Sequence, residues 1–273
     1  MFRTEERNTH FRSALGLAEL IYFSTVRQVR KTHRNAFIGL FTNIMQTVVF
    51  VAAFYLMFSV LGIRGSAIRG DFILYLLSGI FLFLTHTKAV GAIMGSEGPT
   101  SAMMKHAPMN TAIAITSSAL SSLYIQVLSA AVILFVVHVV WHPIEIFKPI
   151  PTIGMFLLAW FSGVAVGMVF LAMKPWLPGF ASTLAMVYSR ANMIASGKMF
   201  VANAMPGYIL AFFDWNPLFH CIDQARGFAF INYNPHFSSI SYPLTVSAVL
   251  IMIGLMGEFY TRKNASLSWS AGR

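Results

Sequence analysis

Long stretches without a charged side chain are the feature that most constrains this fold. Residues 35–63, 106–144, 149–173 and 227–257 contain no Asp, Glu, Lys or Arg, and these runs hold 29, 39, 25 and 31 residues. A helix needs about 20 apolar residues to cross a bilayer core of about 30 Å, so each run is long enough to span a membrane. The runs lack the period-2 alternation of membrane β-strands. The pattern therefore predicts an all-α membrane protein.

The composition supports this class and excludes others. Of the 273 residues, 57% are hydrophobic and 10% are charged, whereas a soluble domain has about 25% charged residues. A soluble globular domain, a disordered chain and a small disulfide scaffold are excluded, and the single Cys221 cannot form an intramolecular disulfide. The net charge of +10 indicates basic residues at the membrane faces and attraction to anionic lipids, rather than binding of nucleic acid.

We predict six spans, which leave no room for a separate soluble domain. The spans are expected at about 36–61, 72–93, 111–140, 151–173, 179–201 and 243–260. Basic residues cluster before the first span and after the last, so the positive-inside rule places both termini in the cytoplasm. The predicted organisation is a cytoplasmic segment over 1–35, a transmembrane domain over 36–260 and a cytoplasmic tail over 261–273. Leu17, Leu20, Ile21 and Ser24 recur at helical spacing, which predicts an amphipathic helix lying on the cytoplasmic face.

A short cytoplasmic segment lies between the second and third spans. Pro99 suits the first turn of a helix and Pro108 suits its end, so they bracket about two helical turns. These turns carry Met103, Met104 and Lys105. The segment is interpreted either as an ordinary loop or as a small docking helix, since methionine-rich patches are adaptable contact surfaces.

A second unusual segment, residues 203–242, precedes the last span. It holds two apolar stretches, 208–213 and 218–231, separated by Asp214-Trp-Asn-Pro217, and each is too short to span. Asp223 and Arg226 have the i, i+3 spacing of a helical ion pair. The pattern favours a re-entrant hairpin in the outer leaflet over a plain periplasmic loop.

Arg190 lies near the middle of the predicted span 179–201. A charge at this depth costs at least about 2.5 kcal/mol on insertion scales, so Arg190 must face protein, water or a partner. Three interpretations are open: a structural ion pair, a misplaced span boundary, or a cation that lines a path for an anionic or hydroxyl-rich substrate.

Two motifs of small residues predict close helix packing. Gly163-Val-Ala-Val-Gly167 lies in the fourth span, and Gly91-Ala-Ile-Met-Gly95 ends the second. Glycines four residues apart lie on one face of a helix and let a neighbouring backbone approach.

Motifs that would give the chain a chemistry of its own are absent. The sequence lacks the phosphate-binding loop G-x-x-x-x-G-K-[ST], the zinc helix H-E-x-x-H and the nucleophile elbow G-x-S-x-G. None of the nine acidic residues lies clearly at mid-membrane, where a proton-coupled transporter needs one. We therefore expect no catalytic, metal or cofactor site in this chain, and an energy source on another protein.

Several stretches resemble the permease subunit of type-2 ABC exporters, in the branch that exports capsular polysaccharide and O-antigen. Arg30-Lys-Thr-His-Arg-Asn-Ala-Phe-Ile-Gly-Leu40 is similar to the family's basic stretch before the first span. Ser196-Gly-Lys-Met-Phe200 is similar to its Ser-Gly-x-x-Phe. Met205-Pro206, Trp215-Asn-Pro-Leu-Phe-His220 and Asp223-Gln-Ala-Arg226 resemble its Pro…Asn-Pro-Leu-x-His…Arg signature. The resemblance covers nearly the whole chain.

The resemblance implies a homodimer in a bacterial inner membrane, bound to two separate subunits that hold ATP and Mg²⁺. Residues 97–107 would form the coupling helix, with Glu97, Met103, Met104 and Lys105 in the docking surface. Arg190 would line the translocation path. The hairpin over 206–231 would form part of the periplasmic gate, with the gate residues Pro206, Asn216, Pro217, His220 and Arg226. The cargo would be polysaccharide, and membrane lipids and periplasmic and outer-membrane export proteins would be further partners.

Three alternatives to this function stay open at the level of the sequence. The same architecture could export teichoic acid, a lipid-linked oligosaccharide or a drug. An integral-membrane enzyme acting on lipid or sugar would use the scattered histidines, although no paired acid and base supports it. A structural membrane scaffold would leave the export of surface glycans unaffected.

Overall fold

The computed structural model of the chain describes residues 10–32, 36–60, 68, 70–98, 110–141 and 143–264. Within these ranges it contains α-helices, one short 3-10 turn at Ala202–Ala204 and no β-strand, so the all-α prediction is confirmed. The nine described helices are α1 His10–Thr32, α2 Ala36–Val60, α3 Phe72–Met94, α4 Thr111–Val140, α5 Pro149–Met173, α6 Pro178–Ala195, α7 Gly207–Leu210, α8 Pro217–Ala229 and α9 Ser241–Asn264.

Five of the described helices are long and apolar enough to cross a membrane. They are α2 over Ile38–Val60, α3, α4, α5 and α9. Their bounds lie within a few residues of the predicted spans, because uncharged runs mark where a helix can pass through hydrocarbon. The predicted span 179–201 differs, since α6 ends at Ala195 and is not among the five. Gly197 follows it with a φ of +74°, a left-handed conformation that ends helices.

Local sequence signals explain where several helices begin. The side chains of Asp71 and Asn110 accept hydrogen bonds from the backbone N–H of Ile73 and Ala112, at 2.9 and 3.3 Å, and so cap α3 and α4. Helices α5, α6 and α8 each carry Pro in the first turn, where the missing N–H costs nothing. Helix α9 continues one turn beyond the predicted 260, through Arg262 and Lys263.

Helix α3 forms the centre of the molecule and packs closely against α5. The most apolar part of α3 is 83% buried, against 17% for α4 and α9. A Cβ atom added at Gly163 of α5 would lie 2.4 Å from the carbonyl oxygen of His86, and one at Gly167 would lie 2.8 Å from Cβ of Ile93. The close approach predicted from this glycine pair is therefore confirmed. The other predicted pair does not bring a neighbour close, because a Cβ at Gly91 would have open space around it.

Helices α3, α5 and α9 run parallel to one another. The contacts of Gly163 with His86 and of Gly167 with Ile93 advance together along α5 and α3. Along α5 and α9, Met168 meets Gly254, and beyond the end of α5 the indole N–H of Trp176 donates to the hydroxyl of Thr261 at 2.9 Å.

Helix α6 runs in the opposite direction to α3. The hydroxyl of Tyr188 lies 2.8 Å from Nε2 of His86, and ten residues later the ammonium of Lys198 lies 3.4 Å from the ring centroid of Phe83. As the chain advances along α6 and the turn after it, its partners therefore move back toward the start of α3. Helix α6 and this turn thus lie alongside α3 over several of its turns.

The hairpin junction

The segment before the last span, which we call the hairpin, contains two helical pieces separated by a break. Pro206 precedes a single helical turn, α7, and a series of backbone turns then leads through Asp214 to α8. Both predicted apolar stretches are helical in part, but the first is only Gly207–Leu210. Asn216 and Pro217 restart the chain as α8, a helix of 13 residues. The sequence therefore predicts the break in the hairpin but overestimates the length of its first arm.

Arg226 joins this hairpin to the end of α6. Its side chain is buried, with 1% of its surface exposed. Nη1 donates to the carbonyl oxygens of Gly197 and Phe200, at 2.9 and 2.6 Å, and Nη2 donates to that of Lys198, at 2.7 Å. The guanidinium carbon lies 4.2 Å from the ring centroid of Tyr75 on α3. The interpretation of Arg226 as the partner of Asp223 in a helical ion pair is thus wrong, because its donors are directed at backbone carbonyls of another segment.

Two glycines make room for this arrangement. The left-handed conformation of Gly197 turns the carbonyls after α6 toward the guanidinium, and a Cβ there would lie 2.7 Å from the ring of Phe219. A Cβ at Gly79 of α3 would lie 2.9 Å from Nη2 of Arg226. The hydrogen-bonding turn 196–200, α8 and α3 therefore fit together only with small residues at these two positions.

Asn216 makes a second connection to α6. Its side-chain oxygen caps α8 by accepting from the N–H of Leu218 at 3.0 Å. Its Nδ2 donates to Oδ1 of Asn192 at 2.8 Å and to the carbonyl oxygen of Ala195 at 2.9 Å. One buried amide thus stabilises the start of α8 and the end of α6 together. Pro217 lies beside it, buried in the first turn of α8.

His220 holds α8 to the segments on either side of it. The backbone N–H of Ser239 donates to Nδ1 at 3.0 Å, so the proton of the neutral ring is on Nε2, which donates to the carbonyl oxygen of Asp214. The ring also lies 4.6 Å from that of Tyr242, centroid to centroid. The imidazole is fully used in structural hydrogen bonds and has no nitrogen free for catalysis.

Asp223 ties α8 to the loop before α9. One carboxylate oxygen accepts from the hydroxyl of Tyr233, and the other accepts from the hydroxyl of Ser238 at 2.7 Å. Burial, followed by the negative charge of Asp223, raises the pKa of Tyr233 above its ordinary value, so the phenol keeps the proton that it donates. We call the set Gly79, Asn192, 196–200, Asn216, His220, Asp223 and Arg226 the hairpin junction.

A buried histidine on α3 was missed by sequence reasoning. His86 is fully buried, with Nδ1 2.9 Å from the hydroxyl of Ser162 and Nε2 2.8 Å from that of Tyr188. It therefore links α3 to α5 and α6. Its place inside an apolar helix was the available signal, because a polar side chain at membrane depth requires partners on neighbouring helices.

Lys198 is the second buried group that the sequence did not assign. Its ammonium is buried beside three rings, at 3.4 Å from the centroid of Phe83, 5.4 Å from that of Phe54 and 5.7 Å from that of Phe50. Nζ has no hydrogen-bond partner among the residues that the structure describes. Lys198 and Arg226 therefore bring two cations to the same junction, one held by carbonyls and one by aromatic faces.

The other predicted site residues lie apart from this junction. Arg190 is exposed on α6, and Pro206 is exposed at the start of α7. Glu97 is half-buried after the end of α3, whereas Met103, Met104 and Lys105 lie outside the described residues. In the described ranges, no three His, Cys, Asp or Glu side chains are placed to hold a metal ion.

Comparison with protein families finds a match over most of the chain. Residues 19–230 match the sequence model of the family described as ABC-2 type transporter. The matched region begins within α1 and ends after α8, so it includes every residue of the hairpin junction. No curated protein matches the chain.

Proposed function

The chain belongs to the family of ABC-2 type transporters, and we propose that this multi-pass membrane permease exports capsular or related cell-surface polysaccharide across the bacterial inner membrane. Members of this family normally work with an ATP-binding subunit. In this proposal two copies of the chain form the path, and two separate subunits bind ATP and Mg²⁺. The permease contributes no chemistry of its own and converts closure of those subunits into opening of the path.

The hairpin junction is the observation that supports the cargo. Ser196–Phe200 and Trp215–Arg226, the two stretches that resemble polysaccharide exporters, are distant in sequence but form one unit through Arg226. A polysaccharide passes through its exporter over many transport steps, and the gate must fit closely around it throughout. Such a gate needs a stiff element rather than a mobile loop. Three charge-assisted hydrogen bonds and the buried amide of Asn216 supply that stiffness.

The direction of the helices supports six crossings. Helices α3, α5 and α9 are parallel, so the chain must return once between each of them, and between α5 and α9 only α6 offers a long returning helix. The ammonium of Lys174 donates to the carbonyl oxygen of Met94 at 3.1 Å, so the ends of α3 and α5 lie together. We assign that end to the cytoplasm, so Glu97 after α3 and Asn110 before α4 lie on the side where an ATP-binding subunit would dock, and the proposed coupling helix lies between them in sequence.

The depth of Arg226 supports a re-entrant hairpin. Its guanidinium packs on Tyr75 and reaches Gly79, which lies seven residues into α3 and so about 10 Å along its axis. The N–H groups of Phe147 and Lys148, just before α5, donate to the carbonyls at the end of α8. In this proposal the hairpin lies at the periplasmic ends of α3 and α5 and enters the outer leaflet. The exposed Arg190 on α6 is then available to line a path shared with a second copy.

The test is a deletion of the chain in its own cells. We expect polysaccharide to be polymerised but retained inside, as measured by fractionation and immunoblotting with and without permeabilisation. Complementation with the wild-type chain should restore surface polymer. Unchanged surface polysaccharide in the deletion strain would contradict the proposal that polysaccharide is the cargo. Copurification of ATP-binding subunits with the chain is a separate assay, which shows whether the transporter assembles.

A further inference from the structure

A groove with both polar and apolar walls lies between α1, α2, α3 and α4, away from the hairpin junction. Its volume is about 400 Å³. Most of its polar lining comes from amides, hydroxyls and one lysine: Gln28, Thr42, Asn43, Gln46, Lys88, Ser121, Ser122 and Gln126. None of the described residues that line it is acidic. The groove is thus a neutral-to-positive cavity in an otherwise apolar bundle.

Lys88 gives the groove an uncompensated positive charge. Its side chain is half-buried, and its ammonium donates to Oε1 of Gln46 at 2.6 Å. That acceptor is a neutral amide, so it satisfies one of three N–H donors and cancels none of the charge. Burying a lysine beside amides and hydroxyls without a carboxylate is unfavourable unless an anion completes the site.

The floor of the groove is rigid. Nδ2 of Asn43 donates to the hydroxyl of Ser129 at 2.8 Å, and Nε2 of Gln126 donates to Oδ1 of Asn43 at 3.2 Å. Asn43, Gln126 and Ser129 are all buried. These bonds join α2 to α4 and fix Asn43 and Gln126 in the lining, so this polar surface is already formed before any ligand enters.

The rim of the groove is apolar and opens between helices. Val29, Leu40, Ile125 and Leu128 line it together with the exposed ring of Tyr124. A soluble phosphate would gain nothing from these side chains, whereas the hydrocarbon chain of a lipid would bury against them. The combination of one cation and several apolar side chains in the same groove matches the two parts of a lipid molecule.

The position of Lys88 places it on the half of α3 that we assign to the cytoplasmic leaflet. Lys88 lies six residues before the end of α3, about 9 Å along the axis and so inside the hydrocarbon layer, and a lipid phosphate reaches it by entering the groove from the membrane surface. Gln28 comes from α1, where the exposed Arg27 and Arg30 flank it. Basic side chains at this level attract anionic lipids of the cytoplasmic leaflet.

We propose that this groove binds the phosphate group of an anionic lipid from the cytoplasmic leaflet. The ammonium of Lys88 donates to a phosphate oxygen, the amides of Gln28 and Gln46 donate to others, and the acyl or isoprenoid chain follows the apolar rim. The site goes beyond the proposed export function, because it depends on the lipid phosphate and not on the identity of the cargo.

The test measures lipid retention by the purified full-length chain. The chain is placed in vesicles of phosphatidylcholine, or in the same vesicles doped with phosphatidic acid, and is then exchanged into detergent. Native mass spectrometry measures which lipid stays bound to it. We expect wild type to retain phosphatidic acid, and Lys88→Gln to bind it about tenfold more weakly, because a charge-assisted hydrogen bond is lost. Lys88→Arg should restore retention. Lys148→Gln is the matched control, since Lys148 is exposed outside the groove and loses the same charge.

Three outcomes would overturn the proposal. The first is equal retention of phosphatidic acid by wild type and Lys88→Gln, with both variants eluting as folded protein. The second is equal retention of the zwitterionic and anionic lipids by wild type. The third is complete displacement of phosphatidic acid by soluble glycerol 3-phosphate at equal concentration, which would replace the lipid with a soluble phosphate ester. Export activity in cells is a separate measurement, so failure of this site leaves the proposed function standing.

Discussion

At the scale of single residues, the two buried cations of the hairpin junction, Arg226 and Lys198, differ in how their charges are stabilised. Arg226 meets carbonyl oxygens and a ring, so its charge is solvated by the protein. Among the described residues, the ammonium of Lys198 meets only aromatic faces. A desolvated cation–π contact contributes about 2 kcal/mol, less than the several kcal/mol that removing an ammonium from water costs. The Lys198 side chain is therefore not a stabilising feature, and it is the Lys198 carbonyl that the junction uses.

We predict that Arg226→Lys destabilises the permease and abolishes export. Lysine is long enough to reach one carbonyl but lacks the planar fork that serves three, so buried carbonyls lose their donors. The expected loss is about 2–3 kcal/mol of stability, measured by thermal unfolding in detergent. Arg190→Lys is the control for the same chemical change on an exposed residue and should leave the unfolding temperature unchanged. Equal unfolding temperatures for wild type and Arg226→Lys would show that the three bonds do not hold the junction.

At the scale of elements, the packing of α3 on α5 is decided by glycines that face a neighbour. Gly163 and Gly91 are both helical glycines in small-residue motifs, but only the first has another backbone against it. The same substitution therefore has opposite consequences at the two positions. In open space, alanine favours a helix by about 1 kcal/mol over glycine. Against a backbone, its methyl group must push the helices apart.

We predict that Gly163→Ala destabilises the protein by about 1–3 kcal/mol, the usual cost of overpacking. Its Cβ would lie 2.4 Å from the carbonyl oxygen of His86, which is backbone and cannot turn aside. The shift would also lengthen the hydrogen bond of His86 with Ser162. Gly91→Ala should be neutral or slightly stabilising in the same thermal assay. The packing argument fails if both variants unfold at the same temperature.

These helices also show which parts of the fold can be predicted from the sequence. The five apolar helices could be predicted because the absence of charge over about 20 residues is a local property. The end of α6 was placed six residues too late, since the left-handed turn at Gly197 is stabilised by Arg226, 29 positions away in the chain. The same distance explains the wrong partner given to Arg226: i, i+3 spacing identifies Asp223, but not three carbonyls of another segment. Composition alone also did not identify the groove around Lys88, because four separate helices form it.

At the scale of the whole molecule, the course of α6 determines how many times the chain crosses the membrane. The five helices that qualify by length and hydropathy would leave the termini on opposite sides. The parallel arrangement of α5 and α9 instead supports our proposal that the chain crosses back between them. Helix α6 has no stretch as hydropathic as those of the five candidate spans, and its polar residues Tyr188 and Asn192 are hydrogen-bonded to α3 and to Asn216. A crossing helix whose polar groups face protein can be less apolar than one that faces lipid.

We predict that Leu177 and Tyr208, on either side of α6, lie on opposite sides of the membrane. Both are exposed. The single native cysteine, Cys221, is fully buried, so we expect the wild-type chain not to react with a maleimide. Tyr208→Cys should react with a membrane-impermeant maleimide in cells with a permeabilised outer membrane and an intact inner membrane. Leu177→Cys should react only after the inner membrane is opened. Glu145→Cys, in the exposed link between α4 and α5, should behave like Tyr208→Cys. Labelling of both Leu177→Cys and Tyr208→Cys from one side would mean that α6 does not cross, and the termini would then lie on opposite faces of the membrane.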